Sequence, residues 1–596
     1  MVTGGGAMHL NDAFGRHPGL TTVCCHHEQA CAMAAESYAR LTGRLVAVNV
    51  TTGPGGINAL NGVFGAYVDS IPMVVVSGQV KRETMVSSYD LPLRQLGDQE
   101  VDIVSMATPV TKWAAVVWEP ADADAMTKLA CDLARAGRPG PAWLDVPIDV
   151  QAAPVPVADI GELPPGDGAA ALPDLGAFGP PPATGAALAK ILSEVLDRLE
   201  ASERPVVLAG AGVRLSGAHE RFLRLIDRLQ VPVTTGWNAH DALYDAHPCY
   251  VGRPGTIGDR AGNFAVQSAD FLLVLGSRLN IRQISYNWRS FARSAFKVMV
   301  DVDAAELTKP TLHIDLPVHA ELGEALELLE AELDRHQLVP RPVWESWLSW
   351  CLTRRRRYPV RPAAPMTEGP MDPYAALAVV FAALEEGEVV VTGDGAACVM
   401  TFQVAALKAG QRLYTNSGCA SMGYDLPAAI GAALGAEGRR VVCIAGDGSV
   451  MLNLQELQTI AGRRLPVKIV LLNNDGYSSI RQTQASYFPG HVVGCDPGSG
   501  LTFPDFQAVA GAFGIPGRRC ATLGEVPDAL AATLASDGPA LLELVVDPER
   551  PFEPKLSSRA VEDGTMVSSP LEDLAPFLSR EELAENLLVA PAELGG

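Results

Sequence analysis

No stretch of this 596-residue chain strings together the ~20 uncharged apolar residues that a membrane-spanning helix needs. Cations are scarce. Lys and Arg number 46 against 68 Asp and Glu, for a formal net charge of −22. That deficit excludes nucleic acid or an anionic membrane surface as the main partner. The 11 cysteines are scattered, with Cys24-Cys25 adjacent, and none forms a Cys-x-x-Cys pair. None of the 11 histidines falls at zinc-like spacing. With no secretory leader in view, the expectation is reduced thiols in a cytoplasmic protein. The beginning is also short of residues. Met1-Val2-Thr3 runs straight into Gly4-Gly5-Gly6, which leaves little for a first strand, and the chain reads as clipped there.

What is present is α/β alternation on a scale that a single core cannot hold, and three domains are the natural division. Leu45 to Val50 and Met73 to Val76 read as short buried strands, with Gly53-Pro54-Gly55-Gly56 opening a helix between them. Ala153 to Thr184 is rich in Pro, Ala and Gly and reads as a linker. A second unit begins at Pro205 and carries strands at Phe271 to Leu275 and Val298 to Val302. The run Arg354 to Arg357 reads as a solvated face of the segment leading to the third unit. That unit starts near Met371, with strands at Val389 to Val391, Val441 to Ala445 and Val467 to Leu472. The division expected is 1–155, linker 156–184, middle domain 185–335, third domain 365–550 and a C-terminal arm 551–596. The fold class is α/β, with three doubly wound parallel sheets.

The third unit holds the strongest chemical signal. Gly446-Asp447-Gly448-Ser449 follows one buried strand, Asn453 to Ala461 reads as a helix, and Asn473-Asn474 follows the next strand. A strand, a crossover helix and a parallel strand bring both loops to one sheet edge, where open α/β sheets bind ligands. Asp447 offers a carboxylate and Asn474 an amide oxygen, both hard ligands for Mg²⁺ or Ca²⁺. The glycines allow close approach of a phosphate, and the helix N-terminus after Ser449 attracts anions. A lone Gly-Asp-Gly is usually an ordinary turn. The strand–helix–strand frame and the Asn pair make this one a clamp for a metal and a diphosphate.

At this point the chain resembles the thiamine diphosphate (ThDP) enzymes. The resemblance implies that Asp447, the Asn474 side chain and the Gly476 carbonyl hold Mg²⁺ through the diphosphate, with Tyr477 also at the coenzyme. It also implies a pyrimidine-binding, a middle and a diphosphate-binding domain. Such enzymes have a helix and a full strand before the first glycine turn, which this chain lacks. The element His26-His27-Glu28-Gln29-Ala30, with Ala39-Arg40-Leu41-Thr42-Gly43, matches the family's glutamate-bearing helix. Glu28 would favour the imino tautomer of the coenzyme's aminopyrimidine; otherwise it is a carboxylate complementing a helix dipole. Thr52-Gly53-Pro54-Gly55, Asp69-Ser70-Ile71-Pro72-Met73 and Gly78-Gln79-Val80 match as well. Gly418 through Pro427 resembles the segment that supports the coenzyme's bend, with Met422 as the apolar prop. Gln99, His27 and Gln79 are candidates for positioning polar groups, and Arg481 or Lys555 for attracting a substrate carboxylate. Since the family divides each coenzyme between two subunits, a homodimer or dimer of dimers is implied.

Within the family the chain is most similar to the acetolactate synthase branch, which decarboxylates pyruvate and adds the two-carbon unit to a second carbonyl compound. Gly210-Ala211-Gly212, Gly276-Ser277-Arg278 with Arg282, and Asp301-Val302-Asp303 match elements that bind FAD there. Guanidinium groups at Arg278 and Arg282 suit phosphates, though glycines after strands are common in any α/β unit. Three departures stand out. Asp98 replaces a Phe before Gln99-Glu100, and Ser479 and Thr483 replace a Met and a Trp of the acceptor pocket. The implied acceptor is larger and more polar than a simple 2-keto acid, such as a keto-sugar. The rival readings are a 2-keto acid decarboxylase that releases an aldehyde, an acyltransferase, and a non-catalytic ThDP- or FAD-holding scaffold.

Overall fold

The structure, a computed structural model, describes residues 1–155, 180–360, 370–560, 566–590 and 592. Most of the linker expected at 156–184 lies outside the described residues. Three parallel sheets form the core. The first has four strands, β1 (Val46–Val50), β2 (Met73–Gln79), β3 (Trp113–Val116) and β4 (Pro141–Pro147), in the order β1-β2-β4-β3. The middle sheet holds β5 (Pro205–Ala209), β6 (Val233–Thr235), β7 (Tyr250–Gly252), β8 (Phe271–Leu275), β9 (Phe296–Asp301) and β10 (Leu316–His319), in the order β10-β9-β8-β5-β6-β7. The third holds β11 (Val389–Thr392), β12 (Arg412–Tyr414), β13 (Val441–Gly446), β14 (Val467–Asn473), β15 (Gly517–Cys520) and β16 (Ala540–Val545), in the order β12-β11-β13-β14-β16-β15.

Residue choice explains these elements. β2, β5, β8 and β11 are buried along their whole length and read as near-continuous apolar runs, because helices cover both faces of a parallel sheet. The Glu28–Thr42 helix is capped by the His27 side chain, which accepts from the Gln29 amide, and stops at Gly43 in the left-handed region. The Pro54–Val68 helix has proline at its first position, where the missing N–H costs nothing.

Both later sheets reverse their strand order near the middle, and each of these reversals opens a crevice at the carboxyl ends of the strands. In the middle sheet it lies between β5 and β8, with the Gly210 and Gly276 loops above. In the third it lies between β11 and β13, which pair from Val389↔Val441 to Thr392↔Ile444.

Three local readings differ from the sequence expectation. The helix expected over Asn453 to Ala461 begins instead at Asp447, runs to Val450, passes through a 3-10 turn at Met451–Asn453 and resumes over Glu456–Gly462. The cause is distant. Ser449 Oγ accepts from Gly423 N at 2.9 Å and Asn453 Nδ2 donates to Gly423 O at 2.7 Å, so the turn between the two helical pieces is tied to a distant loop. At the chain start, Val2 N donates to Asn49 O at 3.2 Å, so the short beginning lies against the free edge of β1. The C-terminal arm contains a short antiparallel hairpin, Ser558–Ala560 with Met566–Ser568, and a helix at Arg580–Glu585. Arg260 donates to the Leu574 carbonyl and Gln267 to Glu572, tying the arm to the middle domain. Among the described residues no helix is long and apolar enough to cross a membrane.

Candidate coenzyme site

β13 and β14 run side by side from Val441↔Val467 to Gly446↔Leu472, so the Asp447 and Asn474 loops leave the same edge. Asp447 is buried, and its carboxylate knits the two loops together. Oδ1 accepts from Gly448 N at 2.8 Å, and Oδ2 accepts from Asn474 N and Gly476 N at 3.1 Å each. Burial nevertheless pushes its carboxyl up to about 6. Asn474 Oδ1 is buried with no hydrogen-bond partner. Among the described residues no group of three His, Cys, Asp or Glu could hold a metal ion. A cation here would therefore rest on one carboxylate, an amide oxygen and a backbone carbonyl. An under-solvated carboxylate beside an orphaned amide oxygen fits a hard divalent ion, which removes both penalties.

Gly448 is fixed by its neighbour. A Cβ there would lie 2.1 Å from a Tyr477 ring carbon, with the Met422 methyl 3.4 Å away. Gly476, at φ +156°, turns against the Cys495 carbonyl, which a Cβ would strike at 2.1 Å. Gly446 is less constrained, its nearest neighbour being Ala397 at 3.8 Å. The structure therefore gathers Gly446, Asp447, Gly448, Ser449, Met422, Asn474, Gly476 and Tyr477 into one cluster.

Glu28 occupies the first turn of its helix, half-buried. Asn58 Nδ2 donates to its Oε2 at 3.1 Å, and its Oε1 lies 3.6 Å from where a Gly55 Cβ would stand. Gly53 (φ +56°) presses its α-carbon against the Gln99 carbonyl, which a Cβ would meet at 1.9 Å. Gln99 itself has a φ of +66° and an exposed side chain. His27 Nδ1 is used in the helix cap, which leaves Nε2 as its outward group. Gln79 is fully engaged. Its Nε2 donates to Val101 O at 3.0 Å and Asp145 Oδ2 at 2.9 Å, while its Oε1 accepts from Val80 N. It holds the Gln99 loop rather than offering a free group. Arg481 is likewise taken, by the Pro548 carbonyl at 2.6 Å and by Glu549.

A cavity of about 500 Å³ lies between the first and middle domains at the β5/β8 reversal. Gly210, Gly212, Arg278 and Asp301 wall it. Arg282 does not; it lines an adjoining narrow crevice beside Trp237 and Phe402, which stack at 4.6 Å. The glycines serve a purpose other than phosphate approach. A Cβ on Gly210 would meet the Gly276 carbonyl at 2.2 Å and one on Gly212 the Gly276 α-carbon at 2.6 Å, so both permit loop-on-loop packing. Burial raises Asp301 to about 6. Its Oδ1 accepts from Asp303 N at 2.9 Å. A half-buried carboxylate at the end of β9 beside a glycine-lined crevice fits the ribose hydroxyls of an adenine dinucleotide.

Sequence reading missed several residues of this region: Asn58 on Glu28, Glu456 accepting from His26 N at 3.0 Å, and Tyr424 donating to Glu36. All are contacts between distant segments with no spacing to announce them.

The family of thiamine pyrophosphate enzymes matches in three parts: its N-terminal TPP binding domain over residues 1–106, its central domain over 192–329 and its C-terminal TPP binding domain over 393–544. The chain is 34% identical over 545 residues to the acetolactate synthase large subunit of Parasynechococcus marenigrum (strain WH8102), covering 91% of this chain and 82% of that protein. It is 30% identical to acetolactate synthase isozyme 1 large subunit of Escherichia coli (strain K12), covering 93% of this chain and 92% of that one. With acetolactate synthase 1, chloroplastic, of Zea mays it shares 32% identity, covering 93% and 84%. The chain belongs to the thiamine diphosphate-dependent enzymes and is acetolactate synthase-like.

Proposed function

We propose that this chain is a ThDP- and Mg²⁺-dependent carboligase. It decarboxylates pyruvate or a related 2-keto acid and passes the two-carbon unit to a carbonyl acceptor bulkier than pyruvate, such as a keto-sugar. The observation that carries the reading is the orphaned Asn474 Oδ1 beside the buried Asp447 carboxylate at one sheet edge. Bound there, the coenzyme supplies a nucleophilic carbon and an electron sink for loss of CO₂. Asp447, Asn474 and the Gly476 carbonyl hold the cation, and Met422 supports the coenzyme beside Gly448. Glu28, oriented by Asn58, holds a proton at the pyrimidine ring. His27 and Gln99 are left to orient substrate oxygens, and FAD would occupy the Asp301 cavity as a structural group.

The larger acceptor is supported by the Ser478–Tyr487 helix. Its first turns present Ser479 and Thr483, and the Thr483 hydroxyl donates back to Ser479 O at 3.0 Å. No large apolar wall stands at those positions. A homodimer is supported by one face of the Pro54–Val68 helix, where Ile57, Phe64 and Tyr67 are 43%, 38% and 37% exposed. Light scattering tests that arm.

The deciding experiment incubates the protein with pyruvate, ThDP, Mg²⁺ and FAD against a panel of ketones and keto-sugars, read by mass spectrometry. The expected product is an adduct with a bulky acceptor. Efficient acetolactate formation with no turnover of bulky ketones sinks the acceptor assignment. Aldehyde alone from pyruvate makes the protein a decarboxylase instead.

A further inference from the structure

The segment from Gly418 to Tyr424, which carries Met422, is pinned at both ends. At its start, Gly418 N donates to Asp69 Oδ1 at 3.0 Å. Asn238 Nδ2 donates to Thr415 O at 2.6 Å and reaches Ser417 Oγ at 3.2 Å and Asp69 Oδ2 at 3.4 Å. At its end, Gly423 is held by Ser449 and Asn453 of the diphosphate loop. The Tyr424 hydroxyl donates to Glu36 Oε2. Glu36 Oε1 accepts from Arg40 Nε at 3.0 Å, and Arg40 Nη2 donates to Asp69 Oδ2 at 2.8 Å. The two pins are thus joined through Asp69, Arg40, Glu36 and Tyr424. Between them Ala420 sits at φ +56°, the left-handed region that a side chain with a Cβ rarely adopts. The segment depends on the contacts at its two ends to hold that conformation.

The charges in this chain of contacts are desolvated, Glu36 at 1% and Arg40 at 8% exposure. Burial pushes the Glu36 carboxyl up, against the pull of Arg40. Removing one member leaves the others unpaired in a dry interior, where geometry must then change. Arg40, Asp69, Asn238 and Ser417 also wall the cavity between the first and middle domains. A ligand filling that cavity touches the side chains that hold Met422.

We infer that Asp69, Arg40, Glu36 and Tyr424 are positioning residues through which an adenine dinucleotide in the interdomain cavity tightens thiamine diphosphate binding. The inference rests on the coenzyme reading given above. A ligand that fixes the Asp69 and Arg40 side chains removes freedom that the Met422 segment otherwise loses when the coenzyme binds. Coupling of this kind is reciprocal.

The test is calorimetric titration of ThDP with Mg²⁺ into the full chain, without and with saturating FAD, and of FAD without and with ThDP. The expected result is at least a roughly fivefold gain in ThDP affinity with FAD, mirrored by the same factor for FAD. In Tyr424→Phe, which deletes one hydroxyl, and in Glu36→Gln, both ligands still bind and the factor falls towards one. Thermal melting of each variant confirms that it is folded; if Glu36→Gln is not, Tyr424→Phe decides alone. A wild-type factor of one, a factor intact in the folded variants, or no saturable FAD binding overturns the inference. No ThDP binding to the wild type removes the coenzyme reading and this inference with it, whereas ThDP binding indifferent to FAD removes only the inference.

Discussion

Glu28 and Asp447 lie more than 400 positions apart and do different work, so replacing them should fail differently. Glu28 is held by a single donor from Asn58 and knits no loops together. Glu28→Gln keeps the size and can still accept from Asn58, so ThDP and Mg²⁺ should bind near wild-type strength. Turnover should fall about 10²–10⁴-fold, the usual value of a positioned proton-transfer group. Near-wild-type activity would take Glu28 out of its assigned role. Asp447 also accepts three backbone amides across two loops. Asp447→Ala should therefore abolish Mg²⁺-dependent ThDP binding in calorimetry and lower stability by about 1–3 kcal/mol, since buried amides lose their acceptor. Retention of metal-dependent binding would remove the clamp.

At the scale of elements, what was readable followed from local pattern. The β13–helix–β14 frame was legible because apolar runs and glycines lie within a few tens of residues, and chirality then fixes which edge the loops share. The break at Met451–Asn453 was not, because Ser449 and Asn453 answer to Gly423, which sequence proximity does not reveal. Gly210 and Gly212 follow β5 as the sequence indicates, Gly212 opening a short helix, but their packing reason is the backbone of Gly276 pressing against them. Pairings such as Asn58 with Glu28 depend on how two helices pack and leave no mark on either sequence segment. The Ser478–Tyr487 helix offers a test at this scale. Thr483 is exposed, and Thr483→Trp puts a large apolar wall one turn beyond Ser479. It should lower kcat/KM for a bulky ketone by about 10–200-fold, the range a change of pocket volume supports, while sparing pyruvate. Equal loss on both acceptors would show that this helix does not face the acceptor.

At the scale of the molecule, burial of carboxyls makes stability depend on pH in a definite direction. Asp145 is raised to about 7, and Asp301, Asp425 and Asp447 to about 6, in each case first by burial. A carboxyl whose folded value exceeds its unfolded value stabilises fully below the unfolded value, near 4, and that stabilisation is lost as pH rises through the folded value. The melting temperature of the coenzyme-free protein should therefore fall between pH 5 and pH 8. Mg²⁺ with ThDP should restore more of it at pH 8, because Asp447 must be deprotonated to bind a cation. Net charge of −22 acts in the same direction through self-repulsion, so the slope alone does not assign the cause. Asp145 separates the two. Its carboxylate accepts from Ser77 Oγ at 2.6 Å and Gln79 Nε2 at 2.9 Å, and Trp143 Nε1 donates to the same serine. Asp145→Asn can keep the Gln79 bond through its amide oxygen and donate to Ser77 through its nitrogen, at the expense of one hydroxyl acceptor. It changes the overall charge by about one in twenty but removes the most strongly raised group. The variant should melt higher than wild type at pH 8, by the equivalent of about 1–3 kcal/mol, and show a shallower decline from pH 5. Calorimetric melts at both pH values check it, and a variant with the wild-type slope assigns the decline to global repulsion instead.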